Sequence, residues 1–474
     1  MRASPAPSNA NAMTTRIPNV FVIVFFLILL AAAATWVLPG GQYARETQVI
    51  AGVEREVPVV GSYTQGAANP QFFEVFVAPL KGFVRLTEII AFIFIVGGAF
   101  ALMNETGAIA AGTLRLVRAL RGREFLIIPI VMTFFSLFGA VFGMCEEAIP
   151  FVLIFVPLAL SLGYDSLVGV SLSFVAAGTG FAGAFINPFT LQIAQGIAGV
   201  PLVSGWEYRV VVWLVVTTAA IAWVMVYAAR IRKDPSRSPM YDLDRERREE
   251  ILRQQQEQQH FTLRHGLCLG ILLVGVVLMI VGVTLWQWYI NELAGLFLGM
   301  GVLSGIVAGQ GPNLLAKHFI AGLKDMTSAA IIVGFTGGII VILEDGGIMD
   351  TVLHGLAAMT ASMPRVLAAD AMYAMQMVLN FFIPSGSTKA ALTMPLMGPL
   401  ADLSGLTRQT AVLAYQLGDG FTNMIIPTSG VTIGTLSMAK IPFDRWFRWH
   451  LPLQLVFVVL SILLLIWPVL THWQ

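Results

Sequence analysis

Residues 87–211 and 328–452 form an internal sequence repeat, and this duplication constrains the fold more than any single motif does. The offset between matching residues is 240 or 241 in the pairs Gly98 and Gly338, Gly180 and Gly420, and Pro201 and Pro442. In a membrane protein, two halves interrupted by glycine and proline are typical of a secondary transporter, and the interruptions mark its binding site. The duplication therefore predicts a transporter.

The composition is that of a chain embedded in a lipid bilayer. Of the 474 residues, 57% are hydrophobic and 12% are charged, about half the charged share of a soluble domain. The sequence contains no metal-ligand spacing, phosphate loop or nucleophile arrangement. Neither an enzyme nor a nucleic-acid-binding protein is therefore expected. No cofactor is expected either, apart from Na⁺ or H⁺ as a coupling ion.

Charge along the chain predicts the orientation of the two halves. Under the positive-inside rule, the four lysine and arginine clusters are all cytoplasmic only if 124–161 and 365–401 turn back inside the membrane. These two stretches are therefore predicted to be re-entrant hairpins, with the N-terminus in the cytoplasm. Residues 105–123 carry four arginines, whereas the matching residues 345–364 carry two aspartates and no basic residue. The two repeats are therefore predicted to be inverted.

The predicted fold class is an all-α polytopic membrane protein with two inverted repeats, each containing a hairpin and a broken helix. The predicted segments are a disordered cytoplasmic tail (1–16), a first transmembrane helix (17–38), an outside loop (39–86) with a small hairpin around Tyr43–Val60, repeat 1 (87–229, with a hairpin at 124–161 and a broken helix at 167–198), a cytoplasmic linker (230–263), two connecting transmembrane helices (264–309), and repeat 2 (328–470, with a hairpin at 365–401 and a broken helix at 408–438).

Four segments require non-helical backbone at membrane depth, which is tolerated only in the protein interior or around a cavity. Two are hairpin turns, at 142–147 and 383–389, and two are helix breaks, at 178–188 and 418–430. Each break frees backbone N–H groups, which suit a carboxylate, and carbonyl groups, which suit an alkali cation. The site is predicted to lie where these four segments meet.

Glu146 and Glu147 form an acidic pair within an apolar stretch. Acidic residues are costly inside a membrane, and a functional role is therefore the default interpretation. The pair could bind the cationic group of a substrate, coordinate Na⁺ or carry a proton. Alternatively, both acids begin the second arm of their hairpin and complement its helix dipole.

Lys389 and Asp419 are the other charged residues of these segments. Lys389 stands at the repeat position of Glu147. It could bind a substrate carboxylate, pair with one of the two glutamates in place of a cation that relatives recruit from solution, or extend to the membrane interface. Asp419 lies between two glycines and is predicted to bind the coupling ion. The other predicted ion ligands are Thr179, Asn187 and Asn423.

Short polar side chains at the breaks complete the predicted site, although each could equally cap its own half-helix. The predicted substrate contacts are Glu146, Glu147, Asn187, Ser385, Gly386, Ser387, Thr388, Lys389, Thr428 and Ser429.

The motifs at these breaks resemble the YfcC-like branch of the anaerobic C4-dicarboxylate carrier (DcuC) family, in the ion transporter superfamily. The resemblance covers about residues 17–470. It implies an elevator-type transporter, usually a homodimer, in which a transport domain of 124–198 and 365–438 moves against a scaffold of 87–123, 207–229 and their mirrors. The motifs are residues 143–151, 186–189, 380–387, 391–395 and 418–430.

The resemblance leaves two substrate classes open. The family name implies C4-dicarboxylates, whereas relatives in this branch are described as basic amino acid antiporters. The Glu-Glu hairpin fits a cationic or zwitterionic substrate better than a dianion. Where the branch usually has Ser-Gly-Gln-Ala, this chain has Ser387-Thr388-Lys389-Ala390, which bears on both substrate charge and ion requirement.

The expected function is secondary active transport, by symport or exchange, of amino acids, including basic ones. The alternative is transport of C4-dicarboxylates or other small organic acids. The expected location is a bacterial inner membrane. An ion channel is a rival class, because broken helices and re-entrant loops also build pores.

Overall fold

The computed structural model describes residues 20–50, 53–59, 61–67, 69–119, 122–257, 261–286, 288, 290–360 and 363–474. The predicted tail at 1–16 lies outside the described residues, as do the first residues of the span predicted at 17–38. The described chain is mostly helical, as predicted from its hydropathy.

The helices up to the linker are α1 (Val20–Val37), α2 (Glu74–Arg85), α3 (Thr87–Asn104), α4 (Ala108–Ala119), α5 (Ile127–Phe142), α6 (Val152–Ser161), α7 (Ser166–Val170), α8 (Ala176–Ala182), α9 (Leu191–Ala198), α10 (Trp206–Lys233) and α11 (Tyr241–Glu257). Helix α5 follows a 3₁₀ turn at Glu124–Leu126, α6 follows one at Glu146–Phe151, and a third lies at Pro235–Arg237. A π-helical turn at Ser171–Val175 joins α7 to α8.

The remaining helices are α12 (Leu263–Leu285), α13 (Ile290–Val307), α14 (Pro312–Asp345), α15 (Met349–Thr360), α16 (Arg365–Phe382), α17 (Gly386–Leu403), α18 (Arg408–Thr422), α19 (Gly430–Met438) and α20 (Phe443–Thr471). The helices α14 to α20 thus follow the same order of long and broken elements as α3 to α10.

Within the described residues, seven helices are long and apolar enough to cross a membrane by length and composition. One of them is Glu124–Phe142, the first arm of the hairpin predicted at 124–161, which is longer than a re-entrant arm requires. Helix α1 is a shorter apolar helix. The seven are Thr87–Asn104, Glu124–Phe142, Trp206–Lys233, Leu263–Gly282, Ile290–Val307, Pro312–Asp345 and Phe443–Thr471.

Helices of the two halves end in the same backbone conformation at three equivalent positions. At each position the backbone adopts the left-handed conformation that commonly ends a helix and favours glycine. The second half uses a lysine at one of the three, so the backbone geometry is retained without the glycine. The pairs and their φ angles are Gly107 (+72°) with Gly347 (+67°), Gly163 (+87°) with Gly405 (+67°), and Gly199 (+69°) with Lys440 (+52°).

The segment predicted as an outside loop holds strands and a helix. The strands β2 (Arg45–Ile50) and β3 (Val53–Pro58) pair antiparallel, which confirms the small hairpin predicted around Tyr43–Val60. The strands β1 (Gly40–Gln42) and β4 (Thr64–Gly66) also pair antiparallel. Strand β3 packs on α17 and β2 on α9. These strands therefore cover two elements of the predicted site.

Helix α2 lies within the segment predicted as an outside loop (39–86) and was not predicted from the sequence. It packs closely on α14, because a Cβ at Gly82 would lie 2.4 Å from the backbone nitrogen of Gly338. Small residues at such crossings let helix backbones approach within a membrane. The doubled glycine Gly337-Gly338, which marks the repeat in the sequence, is therefore a helix-crossing point.

The linker predicted at 230–263 contains α11, which is attached to both halves. Arg445 at the start of α20 makes a bidentate ion pair with Asp242, and its guanidinium lowers the pKa of that carboxyl group to about 2. On the other side, Asp244 Oδ2 accepts a hydrogen bond from the backbone nitrogen of Ser166, at 2.8 Å. Helix α11 therefore connects α7 and α20.

Candidate functional site

The turn of the first hairpin, the first helix break and the start of the second hairpin lie against one another. A Cβ at Gly143 would lie 2.5 Å from Asn187 Oδ1. A Cβ at Gly386 would lie 2.6 Å from Thr190 Cγ2 and 2.9 Å from Asp419 Oδ2. The side chains that sequence reasoning assigned to three separate segments therefore share one interior region.

The second helix break joins this region through the first hairpin. Ile149, in the 3₁₀ turn before α6, lies beside Gly434 of α19, where a Cβ would be 3.6 Å from its Cδ1 atom. Helix α17 of the second hairpin packs in the same way on α9, which follows the first break. Each hairpin thus packs on the half-helix that follows the other repeat's break.

The two glutamates of the first hairpin differ in environment. Glu147 is buried, and its Oε2 atom accepts a hydrogen bond from the backbone nitrogen of Cys145, at 3.0 Å. It therefore caps its own hairpin arm, as the structural alternative expects. Glu146 is half-buried, and within the described part of the chain no basic residue forms an ion pair with its carboxylate.

Asn187 and Thr190 line the first break and are both buried. Asn187 Oδ1 accepts hydrogen bonds from the backbone nitrogens of Phe189 (2.9 Å) and Thr190 (3.3 Å), which fixes the start of α9. The Asn187 Nδ2 and Thr190 Oγ1 atoms are buried without a hydrogen-bond partner among the described residues. Thr190 was not predicted as a site residue, because it follows the predicted break at 178–188; it directly precedes α9, three residues after Asn187.

Thr179, a predicted ion ligand, donates its hydroxyl proton within its own helix, to the carbonyl of Val175 at 2.7 Å. It lies in α8, directly after the π-helical turn at Ser171–Val175. Such turns occur mostly as single insertions in α-helices and often near functional sites.

The second hairpin presents its polar residues at the start of α17. Ser385 is exposed and donates its hydroxyl proton to Thr388 Oγ1 at 3.0 Å, whereas Gly386, Ser387 and Thr388 are half-buried. The carbonyl of Gly386 accepts a hydrogen bond from the Tyr415 hydroxyl group, at 2.6 Å. This bond ties the hairpin to α18.

Lys389 forms an ion pair with Asp419 across 2.8 Å, and both side chains are fully buried. Neither carboxylate oxygen of Asp419 has a hydrogen-bond partner among the described residues, so the contact with Lys389 is an ion pair alone. Lys389 therefore does not extend to the membrane interface. Its ion-pair partner is Asp419, whereas the sequence alternatives considered Glu146 and Glu147.

The Lys389 ammonium group also donates hydrogen bonds to two groups on α16. The acceptors are Asn380 Oδ1, at 2.9 Å, and the carbonyl of Gln376, at 3.3 Å. Neither residue was predicted to belong to the site. Their spacing of four places both polar side chains on one face of a helix that is otherwise rich in apolar residues, which is the signal that could have identified them.

Close helix packing positions Asp419. A Cβ at Gly418 would lie 2.7 Å from Gln376 Cβ, and one at Gly420 would lie 2.4 Å from the Cα of Ala182. The two glycines therefore allow α18 to approach α16 on one side and α8 on the other, with Asp419 held between them.

The second break holds the last three predicted residues. Asn423 Oδ1 accepts a hydrogen bond from Asn380 Nδ2, at 2.9 Å, and Ser429 caps α19 by accepting from the backbone nitrogen of Thr432, at 3.3 Å. Thr428 is buried, and its hydroxyl group has no partner among the described residues.

A cavity of about 660 Å³ lies between the strands and the second hairpin. Thr388 lines it from α17, and Arg45 and Asp350 line it from the other side. These two residues form an ion pair at 3.0 Å, and Asp350 also accepts a hydrogen bond from the backbone nitrogen of Tyr43. The cavity therefore leads to the start of α17.

The four breaks together carry three acidic residues and one basic residue, a formal charge of −2. Lys389 and Asp419 neutralise each other, so the remaining negative charge belongs to Glu146 and Glu147. Among the described residues, buried polar atoms of Asn187, Thr190 and Thr428 also lack a hydrogen-bond partner. The four breaks therefore combine net negative charge with buried polar groups that are available for hydrogen bonding.

Comparison with known proteins places the chain among membrane carriers. The model of the C4-dicarboxylate anaerobic carrier family, DcuC, matches residues 17–470. The chain is 38% identical, over 91% of its length and 92% of the relative, to the Escherichia coli (strain K12) protein named "Putative basic amino acid antiporter YfcC". It is 29% identical, over 96% of its length and 97% of the relative, to an uncharacterized protein of Haemophilus influenzae.

Two solved transporter structures are more distantly similar. The YdaH transporter of Alcanivorax borkumensis aligns with 95% of this chain and 98% of its own at 16% identity, with a TM-score of 0.41. MtrF of Neisseria gonorrhoeae aligns with 95% of this chain and 94% of its own at 16% identity, also with a TM-score of 0.41. Similarity this weak says nothing about the residues of the site. The family match, in contrast, spans nearly the whole chain, and the protein therefore belongs to the C4-dicarboxylate anaerobic carrier family of membrane transporters.

Proposed function

We propose that this protein is a secondary active transporter of amino acids, including basic amino acids, in a bacterial inner membrane. The observation that carries the proposal is the environment of Glu146, a half-buried carboxylate at the turn of the first hairpin. Within the described residues it has no basic partner, although an unpaired charge is costly at this depth. A substrate ammonium or guanidinium group would supply the missing positive charge.

The substrate carboxylate would bind beside the starts of α9 and α17. Helix N-termini carry unsatisfied N–H groups and a partial positive charge, which favour anions. Asn187 Nδ2 is an additional buried donor without a partner among the described residues. Hydroxyl groups of Thr190, Ser387 and Thr428 would complete the contacts, while Glu147 would act through the position of the hairpin turn that it caps.

A C4-dicarboxylate is the second candidate, because the family is named for that substrate class. A dianion needs two positively charged anchors or their equivalent. Lys389 is the basic residue of the four breaks, and its ammonium group already contacts Asp419, Asn380 and Gln376. A dianion would also approach the net negative charge of two glutamates, which disfavours it.

In the proposed mechanism, the hairpins and broken helices would move together against the remaining helices. The predicted scaffold includes 207–229, but Ser136 of α5 hydrogen-bonds to Thr217 of α10 at 2.7 Å and accepts a hydrogen bond from Trp213 at 3.0 Å. Likewise, Trp446 of α20 donates to the carbonyl of Met424 in the second break, at 2.8 Å. We therefore assign α10 and α20 to the moving body, with α1–α3 and α12–α14 as the scaffold and the homodimer contact.

Counterflow in proteoliposomes tests the proposed substrate class. Vesicles loaded with unlabelled solute are given labelled arginine, ornithine, a neutral amino acid or succinate. The proposal predicts saturable exchange of arginine or ornithine. Exchange of succinate alone would support the dicarboxylate alternative, and conduction without saturation or exchange would indicate a channel.

A further inference from the structure

We infer that the ammonium group of Lys389 is a built-in cation, which fills the place beside Asp419 that Na⁺ from solution would otherwise take. The inference rests on the transport function proposed above and refines its coupling. It excludes Na⁺ as the coupling ion that the sequence predicts at Asp419.

The first argument is the set of atoms around the ammonium nitrogen. Three oxygens surround Lys389 Nζ: Asp419 Oδ1 at 2.8 Å, Asn380 Oδ1 at 2.9 Å and the carbonyl of Gln376 at 3.3 Å. Carboxylate, amide and backbone carbonyl oxygens are the ligands that hard cations prefer, and backbone carbonyls bind Na⁺ in transporters. The ammonium group donates hydrogen bonds to Asn380 and Gln376 and contacts Asp419 as an ion pair, so its positive charge is surrounded by ligands of this kind.

The second argument is that hydrogen bonds hold the Asn380 amide group, one of the three oxygen ligands, in a single orientation. The two protons of Asn380 Nδ2 are shared among three acceptors: the carbonyl of Asp419 (3.1 Å), Thr422 Oγ1 (2.8 Å) and Asn423 Oδ1 (2.9 Å). These three acceptors determine which end of the amide points away from the lysine. Asn380 Oδ1 is therefore held toward the ammonium group, and the site is preorganised for a positive charge.

The third argument is electrostatic. Lys389 and Asp419 are both fully buried, so the charge of either one would be uncompensated without the other. Leaving a buried charge without its partner is strongly unfavourable. A Na⁺ ion at the same place would instead meet a second positive charge within contact distance. Lysine and Na⁺ are therefore mutually exclusive occupants of this site.

The test measures thermal unfolding of purified protein in sodium chloride and in choline chloride at equal ionic strength. The variants are Lys389→Gln, which empties the site, and the double variant Lys389→Gln/Asp419→Asn, which also removes the negative charge. Lys440→Gln is the matched control, because it removes an exposed lysine that pairs with Asp325 at 3.3 Å. Measurements at about pH 7 and about pH 9 test whether protonation of Asp419 masks a response, because a higher pH favours the ionised carboxylate.

We expect the unmodified chain, the control and the double variant to unfold at the same temperature in both salts. Lys389→Gln should unfold at a lower temperature in choline and regain roughly 1–2 °C in sodium chloride, the size expected of a ligand at about ten times its Kd. If Lys389→Gln folds only in sodium chloride, the inference is supported equally. A Na⁺ response of the unmodified chain that Asp419→Asn removes would overturn it.

A Lys389→Gln variant that ignores Na⁺ at both pH values, or that folds in neither salt, would also overturn the inference. Because unfolding is measured without any transported solute, the result stands even if the substrate proposed above is wrong. A failed substrate assignment would appear only in the counterflow experiment.

Discussion

Gly143 and Asn187 hold the first hairpin against the first helix break. The backbone of Gly143 is left-handed, with φ of +70°, and a Cβ there would lie 2.5 Å from the Asn187 amide oxygen. The same oxygen accepts the backbone N–H groups of Phe189 and Thr190 and cannot easily move away. The position of the hairpin turn therefore depends on the absence of a side chain at residue 143.

Replacing Gly143 by alanine should disable transport and lower stability. Gly163→Ala is a matched control, because Gly163 is also left-handed, at +87°, but a Cβ there would meet nothing within 4 Å. The control should lose about 1 kcal/mol from backbone strain alone, whereas Gly143→Ala should lose roughly 2 kcal/mol more from the clash. Thermal unfolding and counterflow measure both effects. Equal losses in the two variants would show that the contact with Asn187 is unimportant.

Disulfide cross-links should distinguish helices of the moving body from helices of the scaffold by their effect on transport. Ser136→Cys with Thr217→Cys joins α5 to α10, whose native hydroxyl groups are 2.7 Å apart, and should leave transport intact. Val333→Cys with Gly430→Cys joins α14 to α19, where a Cβ at Gly430 would lie 3.4 Å from Val333 Cγ1, and should abolish transport until the disulfide is reduced. Inhibition by the first cross-link and not by the second would reverse the assignment of α10.

The cavity beside Thr388 should be reachable from the outside of the cell. A Thr388→Cys variant should react with a membrane-impermeant thiol reagent added to intact cells, because the strands and α17 leave a cavity of about 660 Å³ there. The native Cys145 and Cys268 are buried, and the unsubstituted chain is therefore the control for background labelling. Reaction only in inverted vesicles would contradict the proposed orientation.

The ion pair between Asp242 and Arg445 should respond to acid in one direction. Arg445 lowers the pKa of Asp242 from 3.8 to about 2, so its contribution is complete above about pH 4 and is lost as the pH falls toward 2. Both groups are largely solvated, which limits the effect to a few tenths of a kcal/mol. The unfolding temperature of Asp242→Asn should therefore lie slightly below that of the unmodified chain from about pH 5 to 8 and match it near pH 2. A difference that grows in acid would contradict this assignment.

The features that the two halves share are visible in the sequence because they rest on backbone requirements. The left-handed positions Gly107 and Gly347 and the close crossings at Gly337-Gly338 require glycine, and glycine is visible in the sequence. Helix α2 could not be recognised in the same way. Its apolar residues are interrupted by Pro79 and Lys81, and its partner surface on α14 lies far along the chain.

Residue type singles out the charged groups of the breaks, but it does not reveal which of them pair. The sequence identified Lys389 and Asp419 as exceptional, because charges are rare at membrane depth. It could not pair them, since Glu146, Glu147 and Asp419 are chemically equivalent partners for a lysine until the helices are packed. Asn380 was overlooked because its role depends on the three acceptors that orient its amide group, which come from two other elements.

Arginine counterflow in Glu146→Gln and Glu147→Gln proteoliposomes tests the central claim most directly. Glu146→Gln should weaken arginine binding by roughly 10- to 100-fold, the cost of losing a charged hydrogen-bonded partner. Glu147→Gln should stay within about 3-fold of the unmodified chain, because the glutamine carbonyl can still accept the Cys145 N–H group. Unchanged arginine exchange in Glu146→Gln, or exchange of succinate that neither substitution affects, would contradict the account.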